Sequence, residues 1–130
     1  MTADNPIEGQ VLVLTAAKAS VGGERVPDLV AEARRAVEPR ADELRRRYER
    51  VHADDVRQIF LAPDGFWDEV GDERGWSRRA AEAVARAHAE QLLRVGKRED
   101  RREEFETALE VREAVVISNT EGESGDDGGD

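Results

Sequence analysis

Two histidines and a run of carboxylates are the side chains of this sequence that could most readily bind a metal or move a proton. His52 and His88 lie far apart along the chain, whereas a zinc site brings three or four ligands together. The carboxylates form an acidic run at Asp64, Asp68, Glu69, Asp72 and Glu73. Their spacing is not that of an EF-hand loop, which alternates oxygen ligands around a central glycine. We therefore expect no metal site, a solvated acidic face, and a packed His88 that is bonded to a neighbour.

The sequence contains none of the short motifs that mark common catalytic sites. It has no cysteine, which excludes disulfides, thiolate metal sites and cysteine nucleophiles. It has no Gly-x-Ser-x-Gly elbow and no dinucleotide fingerprint, and residues 22–25 lack the lysine and the hydroxyl of a phosphate loop. We predict no catalytic residue and no cofactor, and we favour a protein that is not an enzyme. A carboxylate-based enzyme is the third hypothesis, because paired acids leave little trace in a sequence.

The segment from Phe66 to Leu92 places small and apolar residues at informative intervals. Gly71 would leave room where two helices cross, Gly75 would supply the positive φ of a turn, and Ser77 would cap the second helix. This spacing resembles a helix-turn-helix, although Arg74 stands where that motif has an apolar residue. The resemblance implies DNA contacts from the second helix at Ser77, Arg78, Arg79 and Arg86. The alternative, which the net-acidic chain favours, is an ordinary helical corner with solvated arginines.

Most of the large aromatic side chains fall within one short stretch. The chain has only six aromatic residues, and three of them, Phe66, Trp67 and Trp76, are the candidate partner-binding residues, since aromatic side chains often dominate interfaces. The alternative, which we favour, is that they fill a core otherwise built from 18 Ala and 14 Val. The aromatic residues could fill the core and also bind a partner if one of the two tryptophans is exposed.

The charge balance indicates an unusual solvent. Acidic residues number 30 and basic residues 20, for a net charge of −10, and all but two of the basic residues are arginines. High acidity, scarce lysine and small apolar side chains together resemble the composition of proteins from salt-loving archaea. A GC-rich genome is the alternative, but it does not explain the acidity. No apolar run approaches the roughly 20 residues of a spanning helix, and no leader pattern appears, so we expect a cytoplasmic protein with no membrane partner.

Hydrophobic periodicity predicts a mostly α fold, a small helical bundle with at most one short strand pair. We expect a single domain over residues 6–117, a flexible N-terminus at 1–5 and a disordered acidic tail at 118–130. The predicted helices run from Ile7 to Ser20, from Pro27 to Val51 with a kink near Pro39, from Asp54 to the residue before Pro63, from Phe66 to Asp72, from Ser77 to Gly96 and from Glu99 to Val116.

Two short apolar runs are ambiguous between helix and strand. Val11 to Val13 and Val115 to Ile117 are too short for periodicity to decide, and as strands they could pair with each other. Local end signals are more informative. Asp54 is predicted to cap a short helix, Ser77 to cap a longer one, and Gly96 to end that longer helix.

We therefore predict a non-enzymatic interaction or regulatory protein, with a helix-turn-helix transcriptional regulator as the alternative. An exposed Trp67 or Trp76 in an apolar patch would favour a protein partner. A basic stripe that includes Arg78 and Arg79 would favour DNA, and a cleft where acids converge on His88 would favour an enzyme. The sequence does not specify the partner, the oligomeric state or the pathway.

The melting temperature is expected to rise steeply with salt. The chain holds 30 acids and 20 bases, and their repulsion reaches about 10 Å at about 0.1 M salt but only about 3 Å at about 1 M. Salting-out anions also strengthen the burial of small apolar side chains. Exposed Glu–Arg helix pairs oppose this trend, but each contributes only about 0.3–0.5 kcal/mol. Thermal melts across a KCl series measure the effect, and a melting temperature that is flat or falls with KCl would contradict it.

Overall fold

The fold is α/β, not the mostly α-helical bundle that the periodicity predicts. The computed structural model describes residues 5–119, where helices are joined by three strands in one antiparallel sheet. The helices are α1 (Gly9–Lys18), α2 (Val26–Val37), α3 (Ala41–Arg47), α4 (Phe66–Arg74), α5 (Arg78–Glu99) and α6 (Arg102–Ala108). The strands are β1 (Glu49–Ala53), β2 (Arg57–Pro63) and β3 (Arg112–Ser118). The predicted limit of one short strand pair is therefore wrong.

The sheet is buried on both faces around its central strand. Strand order is β1-β2-β3, and every residue of β2 except Pro63 is buried. Phe60 and Val115 pair across one face and belong to a core cluster with Trp67, while Ile59 and Val116 pair across the other face and belong to a second cluster. A strand covered on both faces has a continuous apolar run instead of an alternating one. This is why β2 lacks the period-two pattern that predicts a strand.

The helix predicted after Asp54 is a β-hairpin. Asp54 Oδ1 accepts hydrogen bonds from the backbone amides of Val56 at 2.8 Å and Arg57 at 2.9 Å. These are the bonds that a helix-capping aspartate would make, but here they close the turn between β1 and β2. Asp54 therefore makes the hydrogen bonds expected of a capping residue, but these bonds stabilise a turn and not a helix. The preceding helix also ends earlier than predicted, because the backbone is extended from Tyr48 onward.

The segment predicted as a helix from Glu99 to Val116 divides into α6 and β3. The strand expected at Val115 to Ile117 is present, but its partner is β2, and Val11 to Val13 lies in α1. Gly96 does not end α5, which continues to Glu99. A side chain at position 96 would lie 2.8 Å from the ring of Phe105 and 3.0 Å from Cα of Arg102. Gly96 therefore lets α6 approach α5 closely.

Other local predictions are confirmed. A 3₁₀ turn at Glu38–Arg40 separates α2 from α3, as Pro39 predicts. Ser77 caps α5, and its hydroxyl accepts a hydrogen bond from the amide of Ala80 at 3.1 Å. Gly75 has a positive φ of 78° at the end of α4. These signals act within one turn of backbone, so no distant residue alters their outcome.

The predicted terminal segments lie mostly outside the described residues. Residues 1–4 and 120–130 are not described. Ser118 is the last residue of β3, and the side-chain amide of Asn119 donates to the carbonyl of Asp54 at 2.7 Å. Residues 118 and 119, the first two of the predicted 118–130 segment, are thus among the described residues, and the predicted boundary itself stays a prediction.

The outer edge of β3 is covered by side chains from α4, α5 and the 3₁₀ turn after α2. Trp67 Nε1 donates to the carbonyl of Ala114, and His88 Nδ1 accepts from the amide of Val116, each at 2.9 Å. The amide of Ser118 donates to a carboxylate oxygen of Glu38, also at 2.9 Å. Backbone groups at an unpaired sheet edge need such partners when they are buried. Trp67 and His88 are therefore part of the sheet's hydrogen-bond system, which confirms the prediction of a packed, bonded His88.

Replacing His88 is expected to flatten the pH dependence of stability. Burial lowers the pKa of His88 to about 3 from an ordinary 6.5, so the unfolded chain binds a proton more readily below that ordinary value. This contribution is fully present above about pH 6.5 and is lost as the pH falls toward 3. Between about pH 7 and pH 4.5 the unfolding free energy of the wild type should fall by about 2–3 kcal/mol more than that of His88→Gln.

Urea unfolding of both proteins across this pH range measures the difference. Gln can still accept the amide hydrogen of Val116 but does not titrate here. If the pH profiles of the two proteins are parallel, protonation of His88 is not coupled to folding, and the prediction is wrong.

Candidate interaction surface

Helix α1 stands out because it is almost uncharged. In a chain with 38% charged residues, its ten residues include one charge, Lys18. Val13 is 70% exposed and Leu14 is 44% exposed. Among residues 5–119 the only other exposed large apolar side chain is Val111, at 69%. Two of these three side chains are thus adjacent on one helix.

The outer face of α1 is uncharged and mostly apolar, although the fold covers only its inner face. Val11 and Thr15 are one helical turn apart and are buried. Gln10, Val13, Leu14 and Ala17 lie on the opposite side, and all four are exposed. A helix that is apolar on all sides is normally covered on all sides. We define these four residues as the α1 face.

Glu8, the residue before α1, fixes the helix to α5. Its backbone amide donates to Gln91 Oε1 at 2.8 Å, and its carboxylate accepts from Gln91 Nε2 at 2.9 Å. Arg98 donates to both carboxylate oxygens at 2.6 and 2.7 Å, and Arg94 adds a bond at 3.1 Å. The hydrogen bond from Arg98 is the largest cause that lowers the pKa of Glu8 to about 2. The start of α1 is therefore held rigidly.

A second polar cluster, centred on Arg57 and Asp54, connects the β-hairpin to the segment just before α1. Arg57, whose side chain is 8% exposed, donates to the carbonyl of Pro6 at 2.8 Å and to Asp54 at 2.9 Å. Asp54 also lies 2.7 Å from His52 Nε2, and His52 Nδ1 is 3.3 Å from Glu99. Burial, the largest influence, raises the pKa of Asp54, but the hydrogen bonds from His52 and two backbone amides together lower it to about 2.

These polar groups already have partners within the fold. Both nitrogens of His52 face carboxylates, and the carboxylate of Asp54 is shared among His52, Arg57 and the turn amides. A group that must bind or protonate a substrate needs a free position in hydrogen-bond reach of it. The arrangement fits a structural role that joins β1, β2, α1 and α5.

The carboxylates beside the α1 face are also paired. Lys18 lies 3.6 Å from Glu90 at one end of the helix. Glu8 is bound by Arg94 and Arg98 at the other end, where Arg94 also donates to Gln10. Each end of the face is thus bordered by an ion pair.

The predicted partner-binding aromatics are together but are not an exposed patch. Phe66 and Trp67 are buried, and their rings meet edge to face at 5.0 Å. Trp67 is also held by its backbone amide, which donates to Glu113 at 2.9 Å. Trp76 is partly buried and packs against Gly71. These aromatics fill the core, and the exposed apolar surface lies on α1 instead.

Sequence reasoning missed the α1 face. The available signal was the absence of acidic residues from 9 to 17 in a chain where acids are frequent. The apolar run at Val11 to Leu14 is compatible with either a helix or a buried strand, and neither alternative indicates an exposed face.

The predicted DNA-contacting residues are all exposed, but acids lie beside them. Ser77, Arg78, Arg79 and Arg86 are exposed along the first part of α5. A cleft of about 180 Å³ at the α4–α5 corner is lined by Arg78 together with Asp68 and Asp72. Carboxylates at this position oppose phosphate binding. The α4–α5 corner therefore has the positive-φ glycine of a helix-turn-helix, but the cleft beside it is lined by acidic as well as basic side chains.

The acidic run does not converge on a metal position. Within residues 5–119 no group of three or more His, Asp or Glu side chains is arranged to hold an ion. In the same range no helix combines the length and apolarity needed to cross a membrane.

These features define a small α/β domain in which partly buried ion pairs support the fold and one helix presents an uncharged face. The chain belongs to the family described as a domain of unknown function (DUF8048), whose model matches residues 5–119. No curated protein and no solved structure matches the chain. The matched region ends with Asn119, directly after β3.

Glu8→Gln is expected to destabilise the protein by about 1–2 kcal/mol near neutral pH, because Arg94 and Arg98 lose a charged acceptor. The effect is below that of a fully buried pair, since solvent reaches part of this carboxylate. The stabilisation is present above about pH 4.5, the ordinary pKa, and is lost as the pH falls toward the folded value of about 2.

Urea unfolding at neutral pH and at about pH 3 measures both statements. Glu103→Gln, an exposed residue of α6, is the control and should change stability by less than about 0.5 kcal/mol. Equal effects of the two substitutions at neutral pH would contradict the anchoring role of Glu8.

Proposed function

We propose that this protein is a non-enzymatic interaction module that binds a protein partner through the α1 face. The observation that carries the proposal is the exposure of Val13 and Leu14 on a nearly uncharged helix of a highly charged chain. The proposed function class is the one predicted from the sequence. The proposed contact surface differs, because it lies on α1 and not on Phe66, Trp67 and Trp76.

The energetics favour a reversible contact. Full burial of a Val or Leu side chain contributes about 1.5–3 kcal/mol relative to exposure. Val13 and Leu14 are only partly exposed, and a four-residue face is much smaller than the roughly 800 Å² per partner of a standard interface. The module is therefore suited to transient association, as expected for a regulatory protein.

The surrounding structure supports a preformed docking surface. Glu8 and its arginines fix one end of α1, and the inner residues Val11 and Thr15 are buried. A helix already held in place loses little conformational freedom on binding, which limits the entropic cost of association. The composition-based expectation of a salt-rich cytoplasm suits this mode, since strong salt screens charges but leaves apolar burial intact.

Site-specific photo-cross-linking in the source cells tests the proposal. A benzophenone amino acid replaces Val13 in one variant and Val111 in a matched control, because these two valines have almost equal exposure. We expect covalent adducts of discrete mass from position 13 and none of the same mass from position 111. Adducts that are absent from position 13, or identical at both positions, would overturn the proposal.

DNA binding is the alternative, supported by the exposure of Arg78, Arg79 and Arg86. A mobility-shift assay with genomic fragments separates it from the proposed function. Retardation that weakens in a variant carrying Arg78→Ala and Arg79→Ala, with a shallower salt dependence, would favour DNA. The carboxylates of Asp68 and Asp72 in the same cleft are the reason that we place this alternative second.

A further inference from the structure

We infer that the partner seated on the α1 face is a second copy of this chain, in an antiparallel α1–α1 pair about a twofold axis. The inference rests on the proposed function, because it uses the same face. It specifies the occupant from the geometry of α1 and from the charges that border it.

The α1 face can meet itself in a single register. Its residues follow the helical spacing of a packing seam, with Gln10, then Val13 and Leu14, then Ala17. With the twofold axis between positions 13 and 14, Val13 of each copy lies beside Val13 of the other on one side of the seam, Leu14 lies beside Leu14 on the other side, and Gln10 meets Ala17. Such an interface needs only one self-complementary patch per copy, which is the arrangement of most small oligomers.

Small residues at the ends of α1 permit close approach. Gly9 has no atom within 4 Å of the position that a side chain would take, so its surroundings are open. Ala17 presents only a methyl group at the other end of the seam. Helices packed through small contact residues approach to the short end of the 8–10 Å range of interaxial distances.

The bordering charges are complementary in this register. The antiparallel pairing brings the Lys18–Glu90 end of one copy to the Glu8–Arg94 end of the other. Glu90 of one copy then faces Arg94 of the second copy on the same side of the seam. Both side chains are partly exposed, at 25% and 30%, so each can form an additional ion pair across the axis.

The net charge makes this association dependent on salt. Each copy carries −10, so two copies repel at low ionic strength. Because Glu8 and Glu90, the carboxylates at the two ends of the face, are paired, they add little local repulsion at the close contact, and the long-range repulsion between the two copies is screened at high salt. We therefore expect a weak dimer, with a dissociation constant of about 10 µM to 1 mM in molar KCl that becomes larger as salt is removed.

Sedimentation equilibrium of the full chain, at about 0.15 M and about 2 M KCl, tests the inference. We expect a monomer–dimer equilibrium that shifts toward dimer in the higher salt. Val13→Glu should weaken the dimer at least about tenfold, since it places two carboxylates at the axis. Val13→Ser, a milder change at the same exposed position, should weaken it less, and Val111→Glu should leave it unchanged. Circular dichroism of each variant confirms that it is folded.

A cysteine-free chain also allows a direct test of proximity. Val13→Cys should form a disulfide-linked dimer rapidly under mild oxidation, whereas Val111→Cys, at nearly the same exposure, should not. Equal rates at both positions would indicate random collision and would overturn the inference.

The outcomes separate this inference from the proposed function. A chain that stays monomeric at all concentrations and salts overturns the second copy as occupant. The proposed function still stands in that case if position 13 cross-links a different protein in cells. A dimer that Val13→Glu does not weaken also overturns the inference, because its interface would lie elsewhere.

Discussion

The hydrogen bonds that seal the outer edge of β3 are the constraint on which the rest of the structure depends. Trp67 comes from α4, His88 from α5 and Glu38 from the 3₁₀ turn after α2, and each satisfies one backbone group of β3. A buried strand edge without these partners would carry unpaired polar groups. The two helices and the turn must therefore occupy fixed positions around one strand, whose residues contribute to both core clusters.

Sequence reasoning recovered local features and missed the sheet. The Pro39 turn, the Ser77 cap and the Gly75 conformation depend on adjacent backbone, so their signals are complete within a few residues. Asp54 shows the limit of this approach, because the same two hydrogen bonds close a hairpin turn or cap a helix. Only the pairing of β2 with β3, residues far apart in the chain, decides between the two.

The candidate surface was hidden for a related reason. Aromatic residues attract attention as interface anchors, but in a chain this rich in Ala and Val they are needed to fill volume around β3. The α1 face is visible only when burial is known, since its sequence differs little from that of a helix buried on both sides. Glu8 illustrates the same point, because its partners Gln91, Arg94 and Arg98 lie more than 80 positions away.

The position of β3 at the end of the described fold has a consequence for biosynthesis. Its residues Ala114–Ile117 are buried and contribute to both core clusters, yet β3 follows every other described element along the chain. Until β3 leaves the ribosome, β2 has one unpaired edge and each core cluster lacks the residues that β3 contributes. The nascent domain therefore completes its fold only after β3 has been synthesised. High surface charge would protect the unfinished chain from aggregation during this interval.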